Sequence, residues 1–245
     1  CKDHLAWLEI YHPKTGFQKI KPNSEIFDAT CGGLGLTGLI TKVKLQLSYL
    51  PSDRIKIESK KANSLKDAIQ ILQENKKADI AYSWHNGSTL SNFEKGVVRI
   101  GMFEEDYKIK KSIFPKKTVN LMKTKIPSSI WVKPTTAIIN SLVRKRELSK
   151  GTKIENIYES FFPFTQKAKS YYFLYGKKGF RAYQGLILNE HVSEFVDDLI
   201  KLIKKYSPDV TIIGIKPFRG EQKFLQFCRN GTSIILEMRN TKDNT

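Results

Sequence analysis

Ser24-Glu25-Ile26-Phe27-Asp28-Ala29-Thr30-Cys31-Gly32-Gly33-Leu34-Gly35-Leu36-Thr37-Gly38-Leu39-Ile40-Thr41-Lys42-Val43-Lys44-Leu45-Gln46-Leu47 is the stretch whose reading decides the fold. Ser24 is a suitable N-cap for a short helix, and the helix runs into glycines. From Leu39 onward apolar and polar residues alternate, as in a strand with one buried face. Gly33-x-Gly35-x-x-Gly38 therefore matches the letters of a dinucleotide-binding fingerprint but not its mechanics. That fingerprint needs a strand before the glycines and a helix after them, so that a helix N-terminus meets the pyrophosphate. Here the order is reversed, and a nicotinamide site is not expected. On spacing alone the segment is a turn that lets a helix meet a strand.

Upstream, positions 5–12 read as a strand, Pro13-Lys14-Thr15-Gly16 as a hairpin turn, and 17–20 as the return strand. Downstream, Pro51-Ser52-Asp53 is a plausible boundary between a first domain over 1–50 and a second over 51–245. The second domain opens with a strand at 55–59 and a helix at 64–75 that places Leu65, Ala68, Ile69 and Leu72 on one face, with Ser64 and Asp67 spaced as a variant capping box. Strands at 80–84 and 97–102 complete a β-α-β-β unit. Residues 105–133, rich in Lys, Pro and Ser, read as a long connection or lid before a helix near 135–146. The last third repeats the theme, with a strand at 181–188, a helix at 191–206 carrying Val192, Phe195, Val196, Leu199 and Ile203 on one stripe, and strands at 211–216 and 233–238. The expectation is an α+β fold: an antiparallel sheet with helices on one face. A chain that starts at Cys1 almost inside a strand, and stops just after one, is expected to be part of a longer protein.

A formal charge of +18 suits an anionic partner, whether nucleic acid, an anionic membrane surface or a phosphorylated substrate. The basic residues come in short runs such as Lys108-Ile109-Lys110-Lys111 and Arg144-Lys145-Arg146, without the aromatic interleaving of a nucleic-acid reader, so nucleic acid is not the expected partner. Cys1, Cys31 and Cys228 are too scattered for a disulfide framework and read as reduced thiols. His4, His12, His85 and His191 are as dispersed, and no metal site is expected.

Ile26 through Ile40 resembles the segment that closes the FAD-binding domain in flavoproteins of the vanillyl-alcohol oxidase (PCMH) superfamily. The resemblance implies FAD as cofactor, contacted by Gly33, Leu34, Gly35, Thr37, Gly38 and Ile40, with 1–50 as the end of that domain and 51–245 as an incomplete substrate domain. Glycines let main-chain N–H groups approach a flat ligand closely, which gives the resemblance a physical basis. The second domain resembles that of the decaprenylphosphoryl-β-D-ribose oxidase group in Ile80-Ala81-Tyr82-Ser83-Trp84, Phe161-Phe162-Pro163, Tyr175-Gly176-Lys177-Lys178-Gly179-Phe180-Arg181-Ala182-Tyr183-Gln184 and Ile215-Lys216-Pro217-Phe218.

Carried over residue by residue, the likeness puts Trp84, Phe161, Gln184, Lys216 and Phe218 around the substrate. Trp84 and Phe218 would be apolar walls, Gln184 a two-way hydrogen bonder, and Lys216 a holder of phosphate or hydroxyl. Taken singly, each is as readily a core aromatic or a solvated surface residue. The implied activity is FAD-dependent oxidation of a sugar or polyprenyl-phosphate-sugar hydroxyl, by a cytoplasmic or membrane-associated protein, with no catalytic residue assigned. Ala182 stands where the group often has a second Gln, Phe161 where it has a Tyr, and Ile235 where it has a Cys, which opens the substrate to other sugar or lactone alcohols. The family's pyrophosphate loop would lie before Cys1 and a further flavin-side Lys after Thr245, so the isolated chain is expected to bind FAD weakly or not at all and not to turn over. The alternative from another class is a basic binding module for nucleic acid or anionic lipid, without catalysis.

Overall fold

The computed structural model describes residues 2–104, 126–157, 160 and 171–241, which form two units. The first comprises Cys1–Leu50 together with Arg219–Asn230, and the second Pro51–Phe218 with Gly231–Thr245.

In the first unit β1 (Leu5–His12) and β2 (Gly16–Ile20) form the expected hairpin, closed by Thr15 N–H to the His12 carbonyl at 3.1 Å, with Gly16 at a φ of +72°. Next comes α1 (Glu25–Gly32), capped by Ser24, whose Oγ accepts from Phe27 N–H at 3.3 Å. After the glycines β3 (Leu39–Leu45) pairs antiparallel with β1, giving the order β2-β1-β3. Leu8, Ile10, Ile20 and Phe27 form the small core, to which Leu5 and Cys31 are added. None of these residues comes from β3, and all seven of its residues are exposed. The buried face expected of that strand is absent: α1 is short and packs over β1 and β2, leaving the edge strand uncovered within this unit. Arg219–Asn230, placed in the second domain on sequence, packs against α1 through Lys223 to Asp28 (2.9 Å) and Leu225 N–H to the Gly32 carbonyl (3.2 Å).

The second unit is a seven-stranded sheet built from β4 (Arg54–Ala62), β5 (Ile80–Asn86), β6 (Gly96–Phe103), β7 (Thr152–Asn156), β8 (Phe180–Leu188), β9 (Val210–Phe218) and β10 (Gly231–Arg239). Its order is β7-β4-β6-β5-β9-β10-β8, and neighbouring strands are antiparallel throughout. The two repeats seen in the sequence each contribute three strands, with the third inserted between the first and second: β4-β6-β5 and β8-β10-β9. They join through β5 and β9, which puts the seam at the middle of the sheet.

The linking helices, α2 (Leu65–Glu74) and α4 (Val192–Tyr206), belong to one face. Leu65, Ala68, Ile69 and Leu72 of α2, and Val192, Val196, Leu199 and Ile203 of α4, pack with Val98, Ile100, Ile213, Ile215, Ile234 and Leu236. Each such Leu, Ile or Val contributes about 1.5–3 kcal/mol on burial, so this face anchors the sheet. Ser64 Oγ caps α2 from Asp67 N–H (3.1 Å), and the Asp67 carboxylate accepts from Asn63 N–H (2.8 Å), a capping box displaced by one residue.

The third helix of this unit, α3 (Lys133–Ser149), lies on the opposite face, which corrects the expectation of helices on one face only. Asn140 Nδ2 donates to Asn86 Oδ1 (3.0 Å) and to the Thr211 carbonyl (2.7 Å), and Glu147 meets Arg99, whose strand neighbours Val98 and Ile100 point to the α2 side. The buried amide has few partners other than these acceptors, and they pin α3 to the sheet. The long connection expected over 105–133 falls largely outside the described residues.

Candidate functional site

In the first unit the glycine segment and the hairpin form an open depression lined by Tyr11, His12, Pro13, Gly35, Leu36, Gly38 and Leu39. Not every glycine there is reserved for a ligand. A Cβ at Gly38, where φ is +133°, would stand 2.7 Å from the Tyr11 carbonyl oxygen, and one at Gly33 would stand 2.3 Å from that of Ala29. Those two positions are small because backbone packs on them. Gly35 differs: its φ of +85° favours glycine, yet no atom lies within 4 Å of where a Cβ would be. Thr37 adds a second anomaly, a buried hydroxyl with no hydrogen-bond partner among the described residues. A buried unsatisfied hydroxyl costs about 1–3 kcal/mol, and a ligand offering a polar atom would recover it. Leu34, Leu36 and Ile40 are exposed around it. The segment thus combines an open glycine, an orphaned hydroxyl and apolar side chains, a donor set that fits a flat, partly polar cofactor.

In the second unit the register of the sheet decides the site. Trp84 pairs with Gly214, Gly214 with Ile235, and Ile235 with Gln184, so one row crosses four strands from the seam to the edge. Directly paired residues point to the same face, here the face opposite α2 and α4. Lys216, Ser233 and Leu186 form the next row, and Phe218, Gly231 and Leu188 the one after. Strand pairing therefore gathers Trp84, Gln184, Lys216 and Phe218, from three strands far apart in sequence, on one face. Phe161 lies outside the described residues. Gln184 Nε2 donates to Ser233 Oγ at 2.9 Å, and Ser233 is fully buried beneath it. This bond turns the Gln184 carbonyl oxygen away from Ser233, and among the described residues no donor reaches that oxygen. Gly214 leaves the row without a side chain at its centre. A Cβ there would make ordinary contacts with Ile235 at 3.7 Å and the Ser83 carbonyl oxygen at 3.9 Å, so packing does not demand the glycine.

On the other side of the Trp84 row stands Asn86–Ile212–Glu237–Ala182. Over it lies an aromatic cluster in which Trp131 and Tyr171 approach to 4.9 Å between ring centroids and Tyr171 meets Tyr175 edge-on at 5.5 Å. Tyr172 donates to Glu237 Oε1 at 3.2 Å, while Tyr171 and Tyr175 share Thr211 Oγ1. Burial raises the Glu237 carboxyl above its ordinary value, opposed by Tyr171, Tyr172 and Lys216. Burial and the Glu237 charge push Tyr172 up to about 12. Farther along the face, Arg99, Glu147, Lys150, Lys153 and Glu155 form an ion cluster. There the basic groups outweigh the cost of burial and hold Glu147 and Glu155 below the usual carboxylate range.

Sequence reasoning missed Ser233, Glu237 and Tyr172. Glu237 alternates with Leu236 and Met238 and reads as an ordinary solvated strand position, and only the pairing of β10 with β9 and β8 reveals its row. Among the described residues no cluster of three His, Cys, Asp or Glu is placed to hold a metal ion, and Cys31 and Cys228 are free thiols. No helix among them is long and apolar enough to cross a membrane.

No protein-family model matches the sequence, and no curated protein matches it. Solved structures do match in fold. A cysteine-to-alanine variant of berberine bridge enzyme superposes over 99% of this chain with a TM-score of 0.53 at 13% identity. A histidine-to-alanine variant of the same enzyme, in complex with (S)-reticuline, gives 0.51 at 13%. A glycine-to-alanine variant described as a reticuline dehydrogenase gives 0.51 at 14%. The chain spans about half the length of these structures, 48% of the first. At this identity the likeness establishes the fold.

Proposed function

We propose that the chain is part of an FAD-dependent oxidoreductase that oxidises a hydroxyl of a sugar or polyprenyl-phosphate-linked sugar. The observation that carries this reading is the gathering of Trp84, Gln184, Lys216 and Phe218 by register alone on the sheet face opposite α2 and α4. The fold shared with berberine bridge enzyme and the glycine segment, with its open Gly35 and orphaned Thr37 hydroxyl, support FAD as the cofactor. When bound, the flavin would supply a two-electron hydride acceptor. The chain's own residues bind and orient. The Trp84 ring offers an apolar wall, the Gln184 carbonyl accepts from a sugar hydroxyl, and the exposed Lys216 ammonium pairs with a phosphate. A net charge of +18 suits both a phosphorylated substrate and the anionic surface where a polyprenyl-phosphate resides.

The test is the visible absorption spectrum of the complete gene product purified without added cofactor. Oxidised-flavin bands that bleach on adding a short-chain prenyl-phosphoryl ribose are expected. A folded, colourless protein that takes up no FAD, or binding of the prenyl-phosphoryl ribose that collapses entirely with added salt, would overturn the reading.

A further inference from the structure

Oxidising an alcohol requires that the hydroxyl lose a proton as the carbinol carbon gives up its hydrogen, so a face that performs this chemistry needs a proton acceptor. None of the residues already placed on it can serve. Trp84 has no basic atom, the Gln184 amide takes no proton at ordinary pH, and an ammonium such as that of Lys216 only donates. Among the described residues the carboxylates on this face are those of Glu147, Glu155 and Glu237. Glu147 and Glu155 are committed to Arg99, Lys150 and Lys153. Glu237 has no cation within ion-pair distance among the described residues. It lies two residues along β10 from Ile235, roughly 7 Å, and so flanks the Trp84–Gly214–Ile235–Gln184 row.

Its strand partners favour access. Ala182 and Ile212 stand beside it, Ala182 is exposed with only a methyl for a side chain, and Glu237 itself is half-buried. The groups that face it are the hydroxyls of Tyr171 and Tyr172, the Lys216 ammonium and, through Thr211, Tyr175. Tyr172 donates to one carboxylate oxygen, and the Tyr171 hydroxyl also faces the carboxylate, so the two tyrosines orient it on the sheet.

Resting on the oxidoreductase reading above, we infer that Glu237 is the proton acceptor of this face. The substrate O–H bond breaks and its proton passes to a Glu237 carboxylate oxygen. The carbinol hydrogen leaves with the C–H electron pair as a hydride, for which a bound flavin would supply the acceptor, and the O–H electron pair closes the carbonyl. Glu237 then releases its proton to water before the next turnover. Because burial favours the neutral acid, the rate should fall on the acid side at a pH above the ordinary carboxylate value.

The experiment compares the flavin-loaded complete protein with its Glu237→Gln and Tyr172→Phe variants. The expected result for Glu237→Gln is flavin content equal to wild type, a fall of roughly 10²–10⁴ in single-turnover bleaching by the prenyl-phosphoryl ribose, and loss of the acid limb. Tyr172→Phe removes a donor to the carboxylate and should move that limb to higher pH, which a merely structural tyrosine would not do. Infrared spectra of the folded 245-residue chain give a readout independent of turnover: a protonated carboxyl stretch persisting above the ordinary Glu range and missing in Glu237→Gln. Wild-type bleaching rates in Glu237→Gln would overturn the assignment, as would an unmoved limb in Tyr172→Phe should Glu237→Gln not fold. Wild-type protein that takes no flavin would instead overturn the functional reading, and this assignment with it.

Discussion

Acid should weaken the second unit through a single buried imidazole, His85. Its side chain is fully buried on the α2 face, with Nδ1 2.6 Å from the Glu94 carbonyl oxygen and Nε2 2.9 Å from Ser83 Oγ. A carbonyl only accepts, so Nδ1 carries the hydrogen and Nε2 accepts from the serine, which fixes a neutral ring. Burial, the largest influence, lowers its pKa from 6.5 to about 4 despite the Glu94 carbonyl and Asp67. The unfolded chain therefore takes up a proton below 6.5 that the folded chain refuses until about 4, so stability is intact above 6.5 and falls as pH drops through that window. Each pH unit within it costs about 1.4 kcal/mol, which gives about 2 kcal/mol at pH 5 and about 3 kcal/mol once pH 4 is passed. The assay is urea denaturation of wild type and His85→Gln at a series of pH values between about 7.5 and 4.5. Other titrating groups are common to both proteins and cancel in the difference. Wild type should lose about 2 kcal/mol relative to the variant by pH 5, and a difference constant across the series would refute the reasoning.

Gly214→Ala should fold as well as wild type or gain a few tenths of a kcal/mol, because the added Cβ meets only ordinary contacts. Its methyl would stand in the middle of the Trp84 row, so bleaching by substrate should still fall roughly 10–200-fold; unaltered kinetics with unaltered melting would argue against that face. Asn140→Ala removes two buried hydrogen bonds, leaving Asn86 Oδ1 with Ser88 N–H and the Thr211 carbonyl with Gly87 N–H, and should cost about 1–3 kcal/mol for the pair in chemical denaturation, so a smaller loss would mean that α3 is held by other contacts.

Local structure was largely legible because each element carries its own signal. Apolar side chains at helical spacing marked α2 and α4, Ser24 and Ser64 marked helix starts, and the Pro13 to Gly16 turn closed a hairpin. The β-α-β-β repeat showed twice. The strand β7, Thr152–Asn156, went unread because its alternation of Thr, Lys, Ile, Glu and Asn has too little apolar content to stand out at an edge. For β3 the alternation was present but its burial was not, since periodicity shows which face could be covered and not whether anything covers it. The position of α3 was equally hidden: its buried contacts run through Thr136, Ala137 and Asn140, a narrow and partly polar stripe that does not announce a second layer.

For the site, sequence alone supplied residue types and, through resemblance, a short set of candidates: the glycine segment, Trp84, Gln184, Lys216 and Phe218. It also excluded a pyrophosphate-binding helix N-terminus, because the order helix, glycines, strand is a property of the linear chain. What only the tertiary structure decided was which strands are neighbours and in what register. Side chains on a strand point alternately to opposite faces, so a one-residue slip of β10 would have turned Ile235 and Glu237 into the helical core and Leu236 outward. The pairing of Trp84 with Gly214, Gly214 with Ile235 and Ile235 with Gln184 settles that register, and with it places a half-buried carboxylate beside the candidate substrate face. That adjacency depends on hydrogen bonds between segments more than a hundred residues apart in sequence, which no local pattern encodes.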